Sequence, residues 1–322
     1  MNDINIIQYL PLTHPRATLR LVKSLSAAGV MTILDLEDSA QDPFSKKLTK
    51  DLKINARNNF FKIISSDNWN SNTIAVPLYV RVNAIDTEFF EDDIKMLVNT
   101  IRSGFPISGV FLPKVESYSH IDQIFSLLGF LNKNKTNNIE IIPMIETKAG
   151  MTNLEKILDE DKANPKFSKI HYGHFDYCLD AKLWPFPDPQ HDSFWNLLKP
   201  MIDLILRYNK TYIHTPFPFP SNIDLFWSTY KYLQNLHPQK KIWACTLNSE
   251  ISFSAEKKNN PALIIHTPDL SKSCKIEEAK LIQKYYLAGK ANRRSFGIYN
   301  DRFIPPHQYF AAEEYLKDND ID

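Results

Sequence analysis

Residues Ile33-Leu34-Asp35-Leu36-Glu37-Asp38-Ser39 decide how the chain is to be read. The apolar run Val30 to Leu36 reads as a buried strand, and it stops at two adjacent carboxylates, Glu37 and Asp38. Acids are rarely buried without a partner or a metal. Successive strand side chains also point to opposite faces. The pair therefore marks either a strand end opening into a polar site or a surface turn with two solvated acids. The arrangement recurs along the chain. Pro77–Val82 ends in Arg81 and Asn83, and Gly109–Leu112 in Pro113-Lys114. Ile139–Ile145 runs into Glu146, and Phe167–Tyr172 into Gly173 with Asp176 following. The carboxyl ends of parallel strands are where α/β barrels and open α/β sheets carry their chemistry.

Composition narrows the class. The chain has 322 residues, 43% of them hydrophobic, enough for one large α/β core with additions. A formal net charge of +1 argues against a nucleic-acid protein held by a basic field. No apolar run approaches the roughly 18 residues a membrane span needs, and the first residues lack a secretory pattern. Cys178, Cys245 and Cys274 form no CxxC pair, so a reducing cytoplasm is the expected compartment. With 8 glycines and no glycine-rich phosphate loop, nucleotide cradling is not expected.

Taken in order, Asn5–Tyr9 is a strand and Ala17 to Ala28 an amphipathic helix ended by Gly29. Helices follow at Lys46–Ile64, Thr87–Ser103 and Tyr118–Leu131, with a polar loop from Asn132 to Asn138. The helix after Gly150-Met151-Thr152-Asn153 is expected to be short. Ser193–Tyr208 and Ile223–Leu236 are helices, and Thr211–Thr215 and Lys241–Thr246 are strands. About eight βα alternations in roughly 250 residues fit a (β/α)8 TIM barrel, with an open doubly wound sheet as the alternative. The barrel is expected over residues 1–255. Residues 256–322 form a C-terminal helical extension, a lid or an oligomer contact, with a helix at Ile276–Leu287, a linker at Ala288–Ser295 and a last element at Tyr299–Leu316. Two proline-rich stretches, Leu183–His191 and Pro216–Pro220, read as lid or binding loops. Among the histidines, His174 stands beside Asp176 and is a candidate base, although a structural role is the commoner one for any single histidine.

The run ILDLEDS with Lys46 and Ala56-Arg57 downstream, then YVRVNA, GVFLPKVES, IPMIETKAGMTN and YGHFDYCLD, resembles the citrate lyase beta-subunit-like proteins of the HpcH/HpaI aldolase superfamily. The five motifs keep the family's order and spacing from Ile6 to about Asp180. The resemblance implies a TIM barrel, assembled as a homotrimer or homohexamer, with Mg²⁺ at the carboxyl end of the barrel. Carried over residue by residue, Glu146 and Asp176 are the expected metal ligands. Arg81 is the expected keto-acid anchor, and Glu37, Asp38 and Lys114 are expected to form a charge network around it. Asn83 and Arg16 are expected at the substrate, Arg16 either on a phosphate or carboxylate or simply in solvent.

The implied reaction is Mg²⁺-dependent carbon–carbon cleavage or formation, between a 3-hydroxyacyl thioester and an acetyl thioester plus a keto acid such as oxaloacetate or glyoxylate. CoA or an acyl-carrier thioester is the implied partner. Replacing Arg81 or Glu146 is then expected to abolish turnover and leave the fold intact. Two departures matter. The last barrel strand runs into Cys245-Thr246-Leu247-Asn248 without the family's His-Pro. Tyr299-Asn300-Asp301-Arg302 stands where an Asp-Gly-Lys-type segment is expected, making Asp301 the candidate for that acid. A keto-acid aldolase using a non-CoA aldehyde, or a non-catalytic barrel, are the alternatives.

Overall fold

The structure is a computed structural model and describes residues 5–66, 74–132, 139–238, 242–254, 261–291 and 295–321. Eight parallel strands close into a barrel: β1 (Asn5–Pro11), β2 (Met31–Asp35), β3 (Leu78–Arg81), β4 (Gly109–Leu112), β5 (Glu140–Ile145), β6 (Lys169–Tyr172), β7 (Thr211–Pro216) and β8 (Ile242–Thr246). Closure is direct, with Ile7 of β1 registered on both Met31 of β2 and Cys245 of β8. The closed ring settles the barrel against the open sheet. The surrounding helices are α1 (Pro15–Ala27), α2 (Lys46–Ile64), α3 (Phe90–Arg102), α4 (Tyr118–Asn132), α5 (Lys148–Ala163), α6 (His174–Asp180), α7 (Asp192–Arg207), α8 (Ile223–Leu236) and α9 (Ser249–Phe253). The polar loop expected before β5 lies almost wholly outside the described residues.

Side-chain alternation decides what faces the centre. Ile7 and Tyr9, Met31 and Ile33, Tyr79, Phe111, Ile142 and Met144 pack together inside the barrel. Ile6, Leu10, Leu34, Val80, Val110 and Ile141 face the helices instead. A period of two then carries Asp35 two residues past Ile33, Arg81 two past Tyr79, and Glu146 two past Met144, all onto the inner side. The β2–β3 register pairs Asp35 directly with Arg81.

The helix after β5 is not short: α5 runs 16 residues, because Thr147 caps it by accepting from Gly150 N–H at 2.9 Å. After α9 come α10 (Lys272–Ala291), a hairpin of β9 (Gly297–Tyr299) and β10 (Arg302–Ile304), and α11 (Pro306–Asp318). The expected linker from Ala288 is thus partly helical; residues 292–294 lie outside the described residues. The last element is a hairpin plus a helix. Its turn is Asn300-Asp301, both left-handed (φ 48° and 60°), as a two-residue hairpin of primed type demands.

This C-terminal arm folds back over the barrel. Both proline-rich stretches hold it. Trp184 stacks on Tyr315 at 6.0 Å and donates to Lys275 O at 3.1 Å, while Arg302 donates to Phe186 O at 3.1 Å. From the other stretch, Pro218 O accepts from Phe303 N–H at 2.8 Å. Among the described residues no helix is long and apolar enough to cross a membrane.

Candidate active site

At the carboxyl end of the barrel lies a cavity of about 460 Å³. Asp35, Asp38, Arg81, Glu146, Asp176 and His307 make its polar side, and Phe175, Leu247, Phe296, Phe303, Pro305 and Pro306 much of its apolar wall. The arm therefore supplies part of the site within the same chain.

Arg81 is the hub. Its Nε and Nη2 each lie 2.7 Å from an oxygen of Asp35, a two-pronged pair of the strong kind. Its Nη1 reaches Glu37 Oε2 at 2.8 Å and Asp38 Oδ2 at 2.9 Å. The guanidinium also lies over the Tyr9 ring, 4.6 Å from its centre. Burial works against the charge on Arg81, but Asp35 and its neighbouring acids outweigh it and raise its pKa further. Burial likewise works against ionised Asp35, and Arg81 outweighs that to hold the carboxyl below its usual range. Backbone N–H groups of Glu37 and Ser39 complete Asp35 at 3.0 Å each. Asp35 was hidden in the apolar run, yet its phase with Met31 and Ile33 is the signal that finds it.

Lys114 joins the two expected metal ligands. Its backbone N–H donates to Glu146 Oε1 at 2.9 Å, and its Nζ lies 3.2 Å from Asp176 Oδ1. The lysine adopts φ 53°, a left-handed backbone uncommon for a residue that carries a side chain. Glu146 is pressed against Gly173: a Cβ there would collide with Glu146 Oε2 and stand 2.6 Å from the glutamate Cβ. Burial, then the Asp176 charge, push the Glu146 carboxyl well above its usual range. Burial and Asp38 push Glu37 up to about 8. Asp176 behaves oppositely. Burial works against its charge, but His307 and Lys114 outweigh it and hold the carboxyl low.

His307 is the residue that the sequence reading missed. It opens α11, and its Nε2 lies 3.3 Å from Asp176 Oδ2. Burial lowers its pKa, yet Asp176 outweighs burial and holds it at about 9. No strand pattern or spacing marks it, since it arrives from the arm.

Three expected site residues stand elsewhere. Asn83 does not face the cavity: its amide donates to Leu36 O at 3.1 Å and Asp93 Oδ2 at 2.7 Å, tying β2 to α3 behind the acids. Asp301 does not reach the cavity either. In the hairpin turn its carboxylate accepts Ser221 N–H at 3.1 and 3.2 Å. Arg16 is exposed at the start of α1 and is not part of the cavity wall. His174 lines the cavity but is not a free base. Its Nε2 bonds Pro187 O at 2.7 Å and its Nδ1 pairs with Tyr172 OH at 3.2 Å.

Five carboxylates (Asp35, Glu37, Asp38, Glu146, Asp176) thus meet Arg81, Lys114 and His307. Lys53, behind them, is engaged with the carbonyls of Leu36 and Glu37 at 3.0 and 2.6 Å. Burial first, and the neighbouring acids second, keep Glu37 and Glu146 above the usual carboxylate range. Oxygen donors in such excess suit a hard divalent cation, so the residues present fit Mg²⁺.

A model of the HpcH/HpaI aldolase/citrate lyase family matches residues 9–191. The chain is similar to the citrate lyase subunit beta of Leuconostoc mesenteroides subsp. cremoris, 29% identical over 116 residues, 35% of this chain and 36% of that protein. The chain's matches span about a third of the length of the curated relatives. Among solved structures, it is similar to Haloferax volcanii malate synthase in a ternary complex with pyruvate and acetyl-CoA. That match has a TM-score of 0.67 at 12% identity and covers 98% of this chain and 92% of the other. It is also similar to the CitE protein of Mycobacterium tuberculosis in complex with magnesium, acetoacetate and coenzyme A, with a TM-score of 0.54 at 14% identity, covering 98% of each chain. At these identities the structural likeness speaks for the fold.

Proposed function

Because the chain belongs to the HpcH/HpaI aldolase/citrate lyase family, we propose that it is a Mg²⁺-dependent carbon–carbon lyase. It breaks or makes the bond between an acetyl-type unit and a keto acid such as oxaloacetate or glyoxylate. The observation that carries this reading is the meeting of Glu146 and Asp176 on Lys114, inside a cluster with more carboxylates than cations.

Glu146 and Asp176 would hold the Mg²⁺. When bound, the ion supplies a Lewis acid and a template for a keto acid's carboxylate and neighbouring oxygen. The remaining work falls to the chain's own side chains. Arg81 has its two-pronged face committed to Asp35, so its part is to hold Glu37 and Asp38 at the mouth and to lend positive potential to an arriving anion. This differs from a free fork clamping the substrate carboxylate. His307 and Lys114 keep Asp176 ionised, and Lys114 offers its ammonium to an oxygen on which negative charge develops. The apolar wall excludes water from that charge, which strengthens both effects.

The wall also favours a second reading, in which the partner of the keto acid is an apolar aldehyde rather than a CoA or acyl-carrier thioester. The arm, which brings Phe303, Pro305 and His307 to the cavity, acts as the lid in either case. The barrel is expected to assemble as a homotrimer or homohexamer.

The test uses the full-length protein with Mg²⁺, screened with oxaloacetate, glyoxylate and pyruvate against acetyl-CoA and against aldehydes. Turnover that needs Mg²⁺ and is lost in Glu146→Gln is the expected result. No turnover with any pair, together with oxaloacetate binding that ignores Mg²⁺, would overturn the proposal in favour of a non-catalytic barrel.

A further inference from the structure

Phenylalanine rings from the barrel and the arm stand in a row along one side of the cavity. Phe175, in the first turn of α6, lies 6.2 Å from Phe303 of β10, and Phe303 lies 4.9 Å from Phe296, just before β9. All of them line the cavity, and all are half-buried. Leu247, from the turn after β8, adds an apolar side chain to the same cavity and is 38% exposed. Apolar surface gathered inside a cavity is where an apolar group is best accommodated.

The rings are tied to the polar side by the chain itself. Phe175 immediately precedes Asp176, and Phe303 stands four residues before His307. The backbone N–H of Phe303 donates to Pro218 O at 2.8 Å. Pro305 and Pro306, with their restricted φ, fix the path from this ring to the imidazole. An occupant whose reacting carbon sits at Asp176 and His307 therefore meets the rings with its next few atoms. Charge is distributed unevenly. Among the described residues that line the cavity, the positive groups are Arg81 and His307, and both are held at the acids. A phosphate or carboxylate lying against the rings would have no counter-charge there, which is costly. A neutral ring would meet them in offset or edge-on contact, which is favourable.

We propose that the partner of the keto acid carries an uncharged aromatic ring seated on Phe175, Phe296 and Phe303, and that Phe303 sets this preference. This rests on the lyase reading and deepens it by naming the class of the second substrate, an aryl-substituted aldehyde. In the bond-forming direction the methyl carbon of pyruvate gives up a proton, and the electron pair left behind bonds the aldehyde carbon. The aldehyde oxygen takes up a proton and becomes a hydroxyl. Cleavage is the reverse.

The test uses the full-length protein with Mg²⁺ and pyruvate, and compares phenylacetaldehyde, acetaldehyde and succinic semialdehyde, with acetyl-CoA as a further partner. The wild type should use phenylacetaldehyde with a kcat/KM at least about tenfold above either other aldehyde. In Phe303→Ala the ratio of phenylacetaldehyde to acetaldehyde should fall at least about fivefold, through KM. A general loss in the variant cancels in that ratio. Phe303→Tyr, which keeps the ring, should restore the preference. Equal use of the aldehydes, a preference for the charged semialdehyde, faster turnover with acetyl-CoA, or a ratio unmoved in Phe303→Ala would overturn the proposal and leave the lyase reading standing. Calorimetric binding of 4-phenyl-2-oxobutanoate against 2-oxobutanoate decides the matter where turnover is absent or Phe303→Ala does not fold. Binding of the aryl acid at least about tenfold tighter supports the aromatic seat even if the lyase reading falls, and equal binding overturns it.

Discussion

His307 Nε2 stands 3.3 Å from Asp176 Oδ2, joining the first turn of the last helix to the helix that follows β6. The pair pins the arm to the barrel mouth. Its pH dependence follows from the raised histidine. The folded-state pKa of about 9 lies above the ordinary 6.5, so the stabilisation is complete below pH 6.5 and is lost as pH rises through 9. Metal-free wild type should therefore lose more stability than His307→Gln between pH 6.5 and 9.5. Denaturant melts of the two at matched pH check this, and parallel curves would contradict it.

Arg81→Ala should cost the fold as well as the activity. The substitution strands Asp35 in the barrel without its partner, and breaking a buried pair costs about 3–5 kcal/mol. The two-pronged contact replaces the expectation of an intact fold in this variant with that of a weakened one. Arg81→Lys, with a point charge in place of the fork, should recover part of that loss. Urea midpoints measure both.

Glu146→Gln should separate function from stability. It removes the metal ligand but also a carboxylate that burial and Asp176 hold protonated well above its usual range. The metal-free variant should be as stable as wild type or more so, by about 0.5–2 kcal/mol. The rise in melting temperature that Mg²⁺ gives the wild type should vanish. A variant clearly less stable than metal-free wild type would refute this account.

Gly173→Ala tests how Glu146 is positioned. The new methyl group would meet the glutamate side chain at 2.6 Å from its Cβ. The variant should lose about 1–3 kcal/mol through overpacking, and its Mg²⁺ affinity should fall because Glu146 must rotate away. Mg²⁺ titration alongside a thermal melt reads both effects.

Three histidines are buried in neutral form. Burial pushes His171 and His214 down to about 3 and His174 down to about 4, against an ordinary 6.5. The unfolded chain binds protons that the folded one refuses, so their contribution is complete above pH 6.5 and falls as the pH drops toward 4. At pH 5 each costs about 2 kcal/mol by linkage. His214→Gln, compared with wild type from pH 7.5 to 5, isolates one such contribution. The stability gap between the two should close, or reverse, by about that amount as the pH falls.

Strand order, barrel closure and the acids at strand ends were legible because they rest on local signals. Alternation with period two, helical spacing and short connections are written within a few residues of each other, and they led to Arg81, Glu146 and Asp176. Even Asp35 was readable, once its phase with Met31 and Ile33 is followed. What the chain's order does not contain is where a distant segment lands. Asn83 and Asp301 carry the right chemistry, but the first bonds Asp93 and the second Ser221. His307 reaches the cavity only because the two proline-rich stretches, through Trp184, Phe186 and Pro218, dock the arm there. Such long-range packing is set by the shape and desolvation of surfaces that exist only after folding, so tertiary structure alone decided which late residues join the early ones.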